Sequence, residues 1–171
     1  MNCSTSQRRN GFSLLELLVA MALMASMVTA VSVLLRVNYG HWLDYRSDSL
    51  RQESATGVLR HLVRQVRQAE QVVAITPSFN SSGSLSLRMP TGQVVVWDHN
   101  GTDVRYGENT ATQLLGNHIT SLTFAGLQKD GITPASDPVD VQSVRITVAY
   151  TLPARTPAAR SLTTVAWVRA F

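Results

Sequence analysis

Arg8-Arg9-Asn10-Gly11-Phe12-Ser13-Leu14-Leu15-Glu16 is the stretch on which the chain turns: a short basic lead, a Gly-Phe step, then an apolar run holding one carboxylate. Between residues 12 and 35 Glu16 is the only charged residue, and neither proline nor glycine interrupts the run. As a helix these residues extend about 36 Å at 1.5 Å per residue. That length crosses a hydrocarbon core of roughly 30 Å. An ionised glutamate little more than one turn inside such a helix costs on the order of several kcal/mol in hydrocarbon unless something neutralises it. Glu16 therefore requires a partner.

Two ordinary accounts of the N-terminus stand beside this one. A secretory signal has a basic region, a short apolar core and a small-residue cleavage site behind that core. Here the apolar run is too long for one, and a glutamate sits inside it. A plain single-pass anchor fits the length, and Arg8 and Arg9 before the span place the N-terminus in the cytoplasm by the positive-inside rule. It leaves Glu16 without an explanation.

Gly11-Phe12-Ser13-Leu14-Leu15-Glu16-Leu17-Leu18-Val19-Ala20-Met21 resembles the type IV prepilin signature, the leader shared by type IV pilins and the pseudopilins of type II secretion. The resemblance implies that a membrane prepilin peptidase cuts between Gly11 and Phe12 and that Phe12 becomes the N-methylated first residue. It implies that Glu16 is the assembly glutamate, aligned with the amine of a neighbouring subunit. Elementary electrostatics agrees. Cleavage leaves a cationic amine at the end of an apolar helix, and two lone buried charges become one pair that fixes register. Further partners implied by the resemblance are other pilin or pseudopilin subunits, an inner-membrane assembly platform and membrane lipid. The implied location is the bacterial inner membrane, single pass, with a periplasmic head, followed by incorporation in a filament.

The expected organisation is a leader at 1–11, a transmembrane and assembly helix at 12–35, a continuation of that helix into the head at 36–76, and a β-sheet region at 77–171. Roughly 135 of the 171 residues then remain for one globular head with a core of its own. The formal charge of +4 falls to +2 once Arg8 and Arg9 leave, and Lys129 is the only lysine. No nucleic-acid partner is expected from that balance. Cys3 is the single cysteine and lies in the leader, so the mature chain has no disulfide to draw on. No apolar segment precedes it, so lipidation there is not expected.

Between residues 54 and 73 the apolar positions Ala55, Val58, Leu59, Leu62, Val63, Val66, Ala69 and Val73 keep the three-and-four spacing of one buried helical stripe. Arg60, Arg64, Arg67 and Gln68 take the other faces. Tyr39, Trp42 and Tyr45, just beyond the span, read as an aromatic belt at a membrane surface. The segment 76–83 ends the helix at Pro77 and Gly83. From there the period changes to alternation, which predicts strands over 84–89, 93–98, 102–106, 119–125, 141–151 and 161–170. A His99-Asn100-Gly101 hairpin turn joins the second and third of these. Val144, Ile146, Val148 and Tyr150 share one face, and that face is expected to cover the helix. The fold class is α+β: a long N-terminal helix packed by its C-terminal half on an antiparallel sheet, as the pilin resemblance also implies.

Leu59-Arg60-His61-Leu62-Val63-Arg64-Gln65-Val66, Thr120-Ser121-Leu122-Thr123-Phe124 and Val144-Arg145-Ile146-Thr147-Val148 resemble minor pseudopilins of the J type and related minor pilins. Many major pilins carry a C-terminal disulfide loop and a proline in the apolar helix; this chain has neither. The resemblance implies a place with other minor subunits at a filament tip, and Glu16, absent from the tip-most type, implies a further subunit above.

Catalysis finds no motif. His41, His61, His99 and His118 are scattered, and no phosphate loop or nucleophile elbow occurs. Asp130, Asp137 and Asp140 read as solvated loop carboxylates rather than calcium ligands, since the dense acidic and glycine spacing of an EF-hand is missing. Arg60, Arg64 and Arg67 read as a solvated helix face. No cofactor, metal or enzyme activity is expected. Two classes of function stay open: a structural and assembly subunit of a type II secretion pseudopilus or type IV pilus, or a minor pilin acting as a binding module for DNA uptake, adhesion or secreted-substrate capture.

Overall fold

A computed structural model of the chain describes residues 13–152 and 158–169. By contact it divides into a unit ending at Leu43 and a unit running from Asp44. A single helix, α1 (Leu14–Gln68), supplies the described residues of the first unit almost entirely and the opening of the second. No residue between 13 and 46 is buried.

Among the described residues the second unit holds eight strands: β1 (Gln71–Ile75), β2 (Ser84–Arg88), β3 (Val94–Asn100), β4 (Asp103–Glu108), β5 (Gln113–Gly116), β6 (Ile119–Leu127), β7 (Ser143–Leu152) and β8 (Ala158–Trp167). The first five form one antiparallel meander in chain order, and the last three form a second antiparallel sheet, also in chain order. A parallel bridge between Ser82 and Leu122 joins the sheets, with the Gly83 amide donating to the Leu122 carbonyl at 2.8 Å. Among the described residues β8 pairs with β7 alone, over ten consecutive residue pairs without a register shift.

Why α1 takes this position follows from its stripe. Ala55, Val58, Leu62 and Val66 are fully buried, with Leu59 and Val63 flanking them in partial burial. They share a core with Leu85, Leu87 and Trp97 of the first sheet and with Phe124, Val144, Ile146, Val148 and Ala166 of the second. Two polar ties fix the helix: Arg51 Nη1 donates to the Thr151 carbonyl at 2.7 Å, and Ser54 Oγ donates to the Asn117 carbonyl at 2.8 Å. The face Val144, Ile146, Val148 and Tyr150 is buried, as alternation requires.

The helix does not continue to residue 76. It ends at Gln68, and the Glu70 amide already donates to the Arg88 carbonyl at 2.9 Å, so Gln71–Ile75 becomes a strand. The reason is local. Val72, Val73 and Ile75 are β-branched and stiff at χ1, which favours a strand once a neighbouring edge is available. Val72 pairs with Leu87 and Ala74 with Ser86, leaving Val73 as the extra residue of a bulge. Val72 is therefore buried and Val73 is 38% exposed, the reverse of what one helical stripe predicts. The hairpin between β3 and β4 also turns one residue later than expected. Asn100 pairs with Asp103, and Gly101, at φ +66°, occupies the left-handed position that the tight connection demands.

Candidate functional site

The carboxylate predicted to matter lies in the first turn of α1. There the unsatisfied backbone N–H groups and the positive end of the helix dipole favour an anion. Around Glu16 the helix surface is otherwise apolar, with Leu15, Val19, Ala20 and Leu23 bordering a shallow groove that Ser13 completes. Leu14 is 78% exposed and Leu18 58%, and the large apolar side chains beyond them are exposed in the same manner. Among the described residues no cation is found within ion-pair distance of Glu16. The predicted cleavage residues Gly11 and Phe12 lie outside the described residues.

Three hydroxyls in the apolar segment behave as lipid or protein burial demands. Ser26 Oγ donates to the Leu23 carbonyl at 2.7 Å, Thr29 Oγ1 to Ala25 at 2.7 Å and Ser32 Oγ to Val28 at 2.8 Å. Each bonds to the helix's own backbone, so none needs water. This is the one helix among the described residues long and apolar enough to cross a membrane. Tyr39 and Trp42 stack with ring centres 6.2 Å apart, and Tyr45 is exposed.

In the second unit the three histidines, His61, His99 and His118, do not gather as metal ligands do. His99 is buried, and its Nε2 lies 3.1 Å from the Ile119 carbonyl. That contact requires the proton on Nε2 and gives the ring a structural role. His61 meets the rings of Tyr106 and Trp97 at centre separations of 4.9 and 6.0 Å. Burial, and then the charge of Arg64, hold its pKa below the usual 6.5. Asp130 accepts from the Ile132 and Thr133 amides at 2.9 Å each and from the Thr133 hydroxyl. These bonds, the hydroxyl first, lower its pKa and tie its oxygens into a turn. Among the described residues no three His, Cys, Asp or Glu side chains gather as metal ligands do. Arg60, Arg64 and Arg67 line one groove with Leu59 and Val63.

The hydroxyl bonds of Ser26, Thr29 and Ser32 and the His61 ring cluster were not anticipated from sequence. The first had a usable signal, since Ser and Thr inside an apolar helix have only the preceding turn's carbonyls to bond.

Residues 6–32 match the family model described as the prokaryotic N-terminal methylation motif. No curated protein matches the chain, and no solved structure does. The motif supports a type IV pilin-like family, and with it a pilin or pseudopilin processed by prepilin peptidase. Together with the apolar helix the motif fits a membrane-anchored protein.

Proposed function

We propose that this chain is a minor pilin or pseudopilin, an assembly subunit of a type II secretion pseudopilus or type IV pilus. The observation that carries this is a methylation motif leading into the segment 14–43 of α1, where every large apolar side chain is exposed and Glu16, in the first turn, is the only carboxylate. Such a surface has two ways to leave water, lipid and other copies of the same kind of helix, and a filament subunit uses both in turn. Before assembly the helix lies in the bacterial inner membrane with the N-terminus cytoplasmic and the head periplasmic. Prepilin peptidase cuts after Gly11, and Phe12 becomes the methylated amine.

Glu16 then acts as a register device. In a stack of staggered helices it stands beside a neighbour's Phe12 amine, and each charge removes the other's desolvation cost. The membrane platform supplies the lifting machinery, and lipid is the solvent exchanged for neighbouring helices. The minor assignment rests on the resemblances of residues 59–66, 120–124 and 144–148, on the absence of proline from the helix, and on the absence of a cysteine pair from the head.

The test is the mass of the N-terminal peptide from the native membrane, paired with Glu16→Ala. A chain beginning at N-methylated Phe12, with Glu16→Ala processed normally yet excluded from filaments, is the expected result. A chain still beginning at Met1 beside an active prepilin peptidase would overturn the proposal, and normal assembly of Glu16→Ala would overturn the pairing.

A further inference from the structure

Two exposed surfaces of the head carry opposite charge and matching apolar centres. The first is a groove of about 510 Å³ between the outer flank of α1 and Thr164 of β8, lined by apolar Leu59 and Val63 and by Arg60, Arg64 and Arg67. The arginines stand at i, i+4 and i+7, one face of the helix. Among the described residues none of the three makes an ion pair, and no carboxylate lines the groove. Three guanidinium groups thus surround an apolar strip with no described carboxylate in ion-pair contact with them.

The second surface is the connection between β6 and β7. Ile132 is 76% exposed and Val139 70%, two large apolar side chains open to solvent on one connection. Asp130, Asp137 and Asp140 flank them in the same connection, all exposed. Lys129 offsets one of the three charges, and Arg145 stands in the cleft that Ile132 and Asp137 border. The connection is shaped in advance: Asp130 holds its turn through Ile132 and Thr133, and a 3-10 turn at Pro138–Asp140 presents Val139.

We infer that the acidic, apolar connection 130–140 of one copy docks in the arginine groove of a second copy. Val139 or Ile132 meets Leu59 and Val63, and the carboxylates meet Arg60, Arg64 and Arg67. Because the two surfaces are different parts of one chain, the contact is heterologous: the copy that gives its loop keeps a free groove and the copy that receives it keeps a free loop, so the contact does not close on a pair. This rests on the filament-subunit proposal and goes beyond it, since a tip position beside other subunits does not by itself require copies of this chain to touch.

Cys3 is the only native cysteine, so site-directed cross-linking reports this contact directly. In full-length Cys3→Ser chains, Arg64→Cys is placed in one tagged copy and Val139→Cys in a second copy of different size. Both are expressed together with prepilin peptidase and treated with a short bis-maleimide. The expected product is the 64–139 heterodimer, with 64–64 and 139–139 products absent. Arg60→Glu with Arg67→Glu in the first copy should lower its yield about tenfold, the sum of a few exposed ion pairs. Asp137→Arg with Asp140→Arg in the second copy should restore it. Correctly processed chains that give no 64–139 product, equal yields for all three pairings, or no rescue by the charge swap overturn the docking and leave the filament proposal standing. Chains that remain unprocessed at Gly11 and give no product overturn both.

Discussion

Val72 and Val73 are adjacent, chemically identical and opposed in their surroundings, which makes them a clean test of where α1 stops. A helix running to residue 76 buries Val73 on the stripe of Leu62, Val66 and Ala69. The strand β1 buries Val72 and bulges Val73 outward, with Val72 at 0% and Val73 at 38% exposure. Val→Ala removes two carbon groups, worth about 0.8 kcal/mol each when fully buried, and partial collapse of the cavity adds to that. Val72→Ala should therefore cost about 2 kcal/mol. Val73→Ala, at a partly exposed bulge, should cost about 0.5 kcal/mol. For a head of this size 1 kcal/mol moves the melting temperature by about 4 °C, so the variants should melt about 8 °C and about 2 °C below the parent. Tryptophan fluorescence of the full-length protein in detergent gives the assay, since Trp97 is fully buried while Trp42 and Trp167 are half-exposed. If Val73→Ala proves the more damaging, the strand and its bulge are wrong and the helix runs on.

Further expectations follow from single contacts. A Cβ on Gly116 would fall 2.5 Å from Val58 Cγ2 and 3.0 Å from Ser54 Oγ; Gly116→Ala should destabilise the head by about 1–3 kcal/mol, seen in the same melt. His61 is held below its usual pKa of 6.5, so the unfolded chain takes up the proton first as pH falls. Stability is then full above about pH 6.5 and declines as pH drops through the lowered folded value. His61→Phe, which keeps the ring against Tyr106 and Trp97, should reduce that decline, and an unchanged melting profile between about pH 7 and about pH 5 would count against it. Gly11→Leu should slow leader removal, because the site then lacks a small flexible residue; an immunoblot resolving precursor from mature chain reads the outcome.

The architecture was open to prediction wherever hydrophobic period and chain geometry coincide. The 3.6-residue stripe from Ala55 to Ala69 and the alternation of Val144, Ile146, Val148 and Tyr150 each have one way to be buried, and both are buried so. β1 escaped because Val72 and Val73 satisfy a helical stripe and a strand equally well, and only the edge offered by β2 decides between them. β5 escaped because Gln113-Leu114-Leu115-Gly116 neither alternates nor contains a β-branched residue; it is a strand because β4 supplies its ladder and Gly116 lets Val58 approach. As for the site, Glu16 stood out because one charge in an apolar run demands a partner. On the proposed function its partner belongs to a neighbouring subunit and so has no place in a single chain. The arginine stripe read as a solvated face because helical spacing reveals neither the apolar strip between the arginines nor Thr164 opposite them.

The order in which the chain is made bears on the ties that hold α1 to its sheets. Arg51 bonds to Thr151, and the carbonyl of Ala69, just past the end of α1, receives the amide of Arg169, in each case across 100 residues of sequence. At roughly 5 to 20 residues per second of synthesis, the second half of each tie arrives on the order of 5 to 20 s after the first. Throughout that interval Val58, Leu62 and Val66 have no β7 or β8 to cover them, while the apolar segment before them is already engaged with the membrane. The nascent head is thus a tethered, half-covered amphipathic helix, a natural client for a holding chaperone. Its survival depends on how soon the last strand arrives.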